Sequence, residues 1–445
     1  MNIAQLRDAY LIGIKGAGMT ALAIILRERG VRVTGSDVPE RFATDAVLAA
    51  RSIPVHAGFA ASHVPPTTDV VIRSTAYGDA HVEVQRARLL GRTVLTYPEA
   101  VASLFNSGRG IAVCGSHGKS TTTALLGFVL AAGGYDPTVI VGAVVPQFEG
   151  NARVGHSAYV VLEADEYQNK LAHYQPFGVI LTNIEYDHPD FFPTPASYVD
   201  AFRAFVRRIP ADGFLVACTD DPVVADVVRD ARCAVIPYGR SQGVPEDLHL
   251  QLVGAHNAEN ALGVLAAALH LGMSRTDALA AIAAFTGTRR RFEIIGTAAG
   301  STVIDDYGHH PSEIRATLAA ARTRYPGQRI LCAFHAHTFS RTVALKDGFA
   351  AAFRDADQTY VMDIFGSARE PHGGITAAEL AAAIAVQSPA VASGNVAETT
   401  AVLLRDVRPG DVVICMGAGE NDHVARNVVT GLQMRASGDE PMRAR

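Results

Sequence analysis

The stretch Ile111-Ala-Val-Cys-Gly-Ser-His-Gly-Lys-Ser-Thr-Thr122 runs from a short apolar segment, through a glycine-rich turn, into a helix-patterned run that ends near Ala132. At such a strand-turn-helix junction, backbone N–H groups and the positive end of a helix converge on one point, and a triphosphate can be held there. Lys119 is placed to reach the β- and γ-phosphates as a mobile cation, and the Ser120 hydroxyl to bind Mg2+. Gly115, Ser116, His117, Gly118 and Thr121 complete the candidate nucleotide loop. Val113 stands where the longer GxxxxGK[ST] pattern has its first glycine, so the loop is a shortened form of it.

Outward from this loop, short apolar runs alternate with helix-patterned stretches along most of the chain, as in parallel sheets covered by helices. A second glycine loop lies upstream in Ala9-Tyr-Leu-Ile-Gly-Ile-Lys-Gly-Ala-Gly18 and opens a helix to Arg29. By itself it indicates a tight turn at a helix start where a diphosphate could sit, and Asp37 follows the next strand where such folds place an acid near a ribose or base. A polar break at Asn106-Ser-Gly-Arg-Gly110 and the end of an Ala-rich helix at Gly287, just before an arginine cluster, mark two boundaries. The expected fold class is therefore α/β in three domains, spanning 1–107, 108–286 and 287–445. Strands are expected at Val31 to Thr34, Val70 to Ile72, and near Val303, Ile330, Tyr360 and Val412, with a disordered tail after Met434.

Carboxylates gather at two further strand ends, Val160-Val-Leu-Glu163-Ala-Asp165-Glu166 and Thr182-Asn183-Ile-Glu185-Tyr-Asp187-His188. In an open α/β sheet the carboxyl ends of strands line the ligand crevice, so these clusters should face the phosphate loop. Acids facing a triphosphate repel it unless cations intervene. Glu163 is accordingly assigned to the Mg2+ between the β- and γ-phosphates, and His188 to a second metal near the transferred phosphoryl group.

Composition narrows the partners. With 445 residues, 49% hydrophobic and 19% charged, the chain is long enough for several cores. A net charge of −5 argues against a general nucleic-acid binder, so anionic ligands must meet local sites. The five cysteines are scattered and form no CxxC pair, as reduced core thiols do. The N-terminal segment lacks signal-peptide character and no apolar run approaches a membrane span, so a cytoplasmic protein without membrane partner is expected.

Taken together, the chain resembles the Mur ligase family over nearly its whole length. The resemblance rests on the phosphate loop, Glu163-Ala-Asp-Glu, Asn183-Ile-Glu-Tyr-Asp-His188, Gly254-Ala-His-Asn257-Ala-Glu-Asn260, Arg290-Arg291-Phe292 and Asp305-Asp306-Tyr-Gly-His309-His310-Pro311, in the family's order. Gly16-Ala17-Gly18-Met19 and Ser340-Arg341-Thr342 are similar to the branch that joins L-alanine to UDP-N-acetylmuramate. The resemblance implies a Rossmann-like UDP-binding first domain, a central P-loop ATPase domain with a mostly parallel sheet, and a Rossmann-like third domain that closes to admit the amino acid. It implies ATP and Mg2+ as cofactors, UDP-N-acetylmuramate and L-alanine as substrates, and a monomer or homodimer.

Residue by residue, the resemblance gives Asn257 and Asn260 to the adenine, Asp306 to the ATP ribose, Arg291 to phosphate, and His309, His337 and Arg341 to the acceptor side. Gly16, Ala17, Gly18, Met19, Asp37, Ser74 and Glu166 fall to the substrate side. The carbamylated lysine of several members has no counterpart, because no lysine occurs between Lys170 and Lys346. Lys15 and Thr338 depart from the alanine-adding pattern, which usually has Gly and Arg there. Glu166-Tyr167 and His173-Tyr174-x-Pro176 are similar instead to a branch that attaches a tripeptide to the same sugar nucleotide, and this acceptor stays open as the alternative. The implied chemistry is phosphorylation of a carboxylate by ATP, then attack by an amine on the acyl phosphate, with His309 or His337 as candidate bases.

Overall fold

The computed structural model describes residues 6–366 and 373–437, folded around three β-sheets that define a three-domain α/β protein. The first sheet contains β1 (Asp8–Ile12), β2 (Arg32–Asp37), β3 (Val55–Ala57), β4 (Val70–Arg73) and β5 (Thr93–Thr96), all parallel, in the order β3-β2-β1-β4-β5. Strand β1 is buried along its whole length, which is why the residues after Asp8 are apolar on both faces rather than alternating. The helix Ala17–Glu28 that follows buries every residue from Met19 to Leu26, as a helix apolar on all sides must.

The second sheet contains β6 (Arg109–Cys114), β7 (Thr138–Val145), β8 (Gly150–Arg153), β9 (Tyr159–Glu163), β10 (Gly178–Leu181), β11 (Phe214–Cys218) and β12 (Ala234–Tyr238). Its order is β12-β11-β10-β6-β9-β7-β8, with only β7 and β8 antiparallel. Strand β6 thus lies between β9 and β10, and the register pairs Val113 with Glu163 and Cys114 with Leu181. The order reverses at β6, and such switch points are where open α/β sheets hold ligands. Arg109 and Gly110, expected in the linker, already belong to β6, so the break is confined to Asn106–Gly108.

The third sheet contains β13 (Glu293–Ala298), β14 (Ser301–Asp306), β15 (Ile330–His335), β16 (Gln358–Met362), β17 (Ala390–Gly394) and β18 (Val412–Gly417), in the order β13-β14-β18-β15-β16-β17. Only the β13–β14 pair is antiparallel. One core packs Ile314, Leu318, Phe334, Phe349 and Phe353 against one face of this sheet, and another packs Tyr360, Val424 and Val428 against the other.

The chain clusters into two compact units. The first is Met1–Glu185, Pro195–Gln251 and Glu259–Thr288, and contains the first two sheets. The second is Tyr186–Thr194, Leu252–Ala258 and Arg289–Arg445, with the third sheet. Four of the five cysteines are buried and Cys233 is half-buried, all as free thiols. The last helix, Asn421–Ser437, continues past Met434, so the tail does not begin there; 438–445 lie outside the described residues. Among the described residues no helix is long and apolar enough to cross a membrane.

Candidate active site

The phosphate loop leaves β6 through two positions that only glycine can fill. Gly115 has φ +133°, and a Cβ there would stand 2.2 Å from Thr182 Oγ1; Gly118 has φ +80°, and its Cβ would meet Asn260 Oδ1 at 2.6 Å. The loop is laced to the end of β10. Ser116 N donates to Asn183 O at 2.9 Å, His117 N to Asn183 Oδ1 at 2.9 Å, and Thr182 Oγ1 to His117 O at 2.7 Å. His117 Nε2 lies 3.0 Å from Glu185 Oε2. The helix Lys119–Ala132 then begins without a side-chain cap on Gly118, which leaves its first N–H groups for an anion. Thr121 is buried in that first turn.

Lys119 Nζ donates to Gly115 O at 2.6 Å, to Ser116 O at 3.0 Å and to Glu166 Oε2 at 3.0 Å. Burial alone would lower its pKa, but Glu166, Asp165 and Glu163 outweigh it and raise the amine above its usual range, so it is a fixed cation. Ser120 Oγ donates to Glu163 Oε1 at 2.7 Å, and Gly142 N donates to Glu163 Oε2 at 2.6 Å. A hydroxyl and a carboxylate together at the foot of a phosphate loop are the oxygen donors a hard divalent cation takes, so Ser120 and Glu163 fit Mg2+. Glu166, assigned above to the substrate side, is fully buried, and its carboxylate is engaged by Lys119 and by Tyr198 Oη at 2.9 Å.

The first glycine loop is built more from packing than from ligand contacts. Met19 is a core residue, 3% exposed. Gly16 and Ala17 are exposed, and Tyr97 occupies the space a Cβ on Gly18 would need, its Oη 2.6 Å away. Gly13, at φ +80°, has Ser74 Cβ 2.9 Å from where its own Cβ would be, so Ser74 borders this loop. Asp37 Oδ2 accepts from Lys15 N at 2.7 Å and Oδ1 from Val38 N at 2.8 Å, so the acid braces the turn. Lys15 is buried, donating to Val38 O at 3.1 Å and Glu40 O at 2.8 Å and pairing with Asp45 at 3.2 Å; its departure from glycine pins the segment after β2.

The second unit gathers the remaining residues. Asp306, at the end of β14, accepts from Phe292 N at 2.8 Å and Gly308 N at 2.7 Å; burial raises its carboxyl against the opposing Arg291. Arg291 lies over the Tyr307 ring and 3.5 Å from Glu313. Asn257 Nδ2 donates to Val253 O at 2.7 Å. His309 Nδ1 is 3.0 Å from Tyr307 O, and burial pulls its imidazole down to about 3. His337 stacks on Phe365 at 5.5 Å and faces His309 at 6.3 Å. Arg341 is gripped by Asp187, with Nε to Oδ1 at 2.9 Å and Nη2 to Oδ2 at 3.2 Å. His188 has φ +55° and its Nε2 lies 3.7 Å from Asp187 Oδ2. Asp187 and Tyr198 carry contacts that no motif spacing signalled, although Asp187 lay within a quoted run.

A glycine-rich loop with a fixed lysine, and a serine hydroxyl on a carboxylate, at the switch point of a parallel sheet in a three-domain α/β chain, define an ATP-using phosphoryl-transfer enzyme. Comparison with known proteins makes the class narrower. The Mur ligase family, catalytic domain, matches residues 8–109; the Mur ligase middle domain matches 113–247; and the Mur ligase, glutamate ligase domain, matches 290–419. A UDP-N-acetylmuramate--L-alanine ligase of Desulfitobacterium hafniense (strain Y51) is 39% identical, covering 94% of this chain and 99% of the relative. One of Roseiflexus sp. (strain RS-1) is 37% identical over 96% and 99%. The crystal structure of the UDP-N-acetylmuramate-alanine ligase of Thermotoga maritima superposes with a TM-score of 0.80 at 25% identity, over 97% of this chain and 100% of that one. The chain belongs to the Mur ligase family, and is an ATP-dependent ligase.

Proposed function

We propose that the chain joins L-alanine to the lactyl carboxylate of UDP-N-acetylmuramate with ATP, through an acyl phosphate, in the cytoplasmic synthesis of peptidoglycan precursors. The observation that carries this reading is the near-complete overlap, at 37–39% identity, with relatives named for that reaction. A carboxylate is a poor electrophile with a poor leaving group, and phosphorylation remedies both. The lactyl carboxylate attacks the γ-phosphorus and ADP leaves; the amine then attacks the acyl carbon and expels phosphate. Lys119 offsets charge on the transferring phosphoryl group from a position fixed by the loop carbonyls and Glu166. Ser120 and Glu163 would hold Mg2+, which supplies charge neutralisation between the phosphates. His188 is assigned to a second metal. Asn257, Asn260, Asp306 and Arg291 are assigned to the nucleotide, and His309, His337 and Arg341 to the amino acid. Gly16, Gly18 and Ser74 are assigned to the sugar nucleotide.

The test is phosphate release with UDP-N-acetylmuramate, ATP and Mg2+, offering L-alanine, L-serine, glycine and a tripeptide acceptor in turn. L-Alanine is expected to drive release most strongly. Release with the tripeptide alone would move the chain to the recycling branch, and no release with any acceptor would overturn the ligase reading.

A further inference from the structure

Glu166 stands outside the phosphate loop, just past the end of β9, yet it supplies one of the three acceptors of the Lys119 ammonium. Its Oε1 accepts the Tyr198 hydroxyl at 2.9 Å, and both residues are fully buried. Tyr198 comes from a third element, the helix Pro195–Val206. Ser116 Oγ lies 2.8 Å from the Tyr198 oxygen, accepts from Glu185 N at 2.8 Å and lies 2.7 Å from Glu185 O. An ionised carboxylate can only accept, so the phenol proton goes to Glu166. The Ser116 proton is then shared between the Tyr198 oxygen and Glu185 O. A continuous strut results, from the backbone beyond β10 through Ser116, Tyr198 and Glu166 to the ammonium. Neither Glu166 nor Tyr198 has the exposure to follow the lysine outward, so they hold it rather than travel with it.

We propose that Glu166 and Tyr198 are positioning residues for ATP, fixing the Lys119 amine at the phosphate loop so that an entering triphosphate meets a cation already in place. The inference rests on the ligase reading above. A long, flexible lysine gains most from such support, because a charge set beforehand needs no reorganisation when the phosphoryl group moves. A hydrogen bond to a charged group corresponds to roughly a 10- to 100-fold effect on an equilibrium or rate.

The experiment compares the full-length wild type with Glu166→Gln, Tyr198→Phe and the double variant. Glu166→Gln should lower kcat/KM for ATP roughly 10- to 100-fold, and Tyr198→Phe by about 3- to 10-fold. The KM values for UDP-N-acetylmuramate and L-alanine should stay at wild-type values even though the Tm falls with the loss of a buried partner, whereas general damage to the site would move all three KM values together. The double variant should be no worse than Glu166→Gln, because Tyr198 acts through Glu166. Wild-type turnover in the same assay decides the ligase reading separately. Calorimetric binding of a non-hydrolysable ATP analogue needs no acceptor and should weaken about 10-fold in Glu166→Gln. Unchanged kcat/KM for ATP in both single variants, unchanged analogue affinity in Glu166→Gln, or additive losses in the double variant would overturn the proposal.

Discussion

Replacing Asp187 by alanine strips Arg341 of the carboxylate that grips it. The two side chains are each 7% exposed and meet through two hydrogen bonds of 2.9 and 3.2 Å. Burial by itself would push the Asp187 carboxyl up; the Arg341 guanidinium prevails and holds it well below the usual carboxylate range. Set against an apolar pair of equal volume, such a bridge contributes little net stability, because both charges lose their water. Cutting one partner is different: the other is left buried and uncompensated, at a cost of about 3–5 kcal/mol. Asp187→Ala should lose stability in that range and Asp187→Asn less, since the amide still accepts from the guanidinium. In a double-mutant cycle with Arg341→Ala, the coupling should be about 1–3 kcal/mol. The chain has no tryptophan, so urea unfolding is followed by far-ultraviolet circular dichroism, and peptide-resolved hydrogen exchange locates the loss in Tyr186–Thr194 and helix Phe339–Ala344. A loss within about 0.5 kcal/mol of zero for Asp187→Ala, the size of a surface change, would refute the reasoning.

Gly115→Ala places a methyl group 2.2 Å from Thr182 Oγ1 at φ +133°, so the loop must shift, and phosphate release should fall about 100-fold or more. His309 is held down to about 3 by burial while an unfolded histidine titrates near 6.5. The unfolded chain therefore takes up a proton that the native state refuses, and stability should fall by up to about 1.4 kcal/mol per unit as the pH drops below ~6.5. His309→Gln should flatten that decline in urea midpoints measured across the range, and an unaltered slope would count against it. Asp305 shows the opposite sign: burial, opposed by Arg290, pushes its carboxyl up to about 7. The native state keeps a proton that the unfolded chain has lost, so this contribution to stability falls as the pH rises between ~4 and ~7. Asp305→Asn should remove that loss in Tm measured from acid to neutral pH.

The phosphate loop was legible because a lysine in a strand-turn-helix junction has few structural uses, and because β6, β9 and β10 are buried on both faces and so appear as plain apolar runs. Their adjacency carried Glu163 to Ser120 as the strand-end rule requires. Edge strands were harder. Strand β3 has three residues, two of them exposed, and β17 is a half-buried Ala-Val-Ala-Ser-Gly, so neither carries a periodic signal. Contacts far apart in sequence were invisible: Asp187 meets Arg341 across 154 positions, and Tyr198 meets Glu166 from a helix marked by no motif. Burial inside a motif was equally invisible: Met19 lies in the core, and the Glu166 carboxylate is buried against Lys119 and Tyr198. The role of Lys15 needed the structure, because its partners are backbone carbonyls and one acid on the next helix.

The central claim is that a carboxylate becomes reactive by accepting a phosphoryl group at the loop that holds Lys119. Turnover with 18O in the lactyl carboxylate of UDP-N-acetylmuramate, followed by mass analysis of the released phosphate, tests it directly. An acyl phosphate leaves one labelled oxygen in each phosphate released with amide formation. Unlabelled phosphate alongside full amide formation would contradict the account.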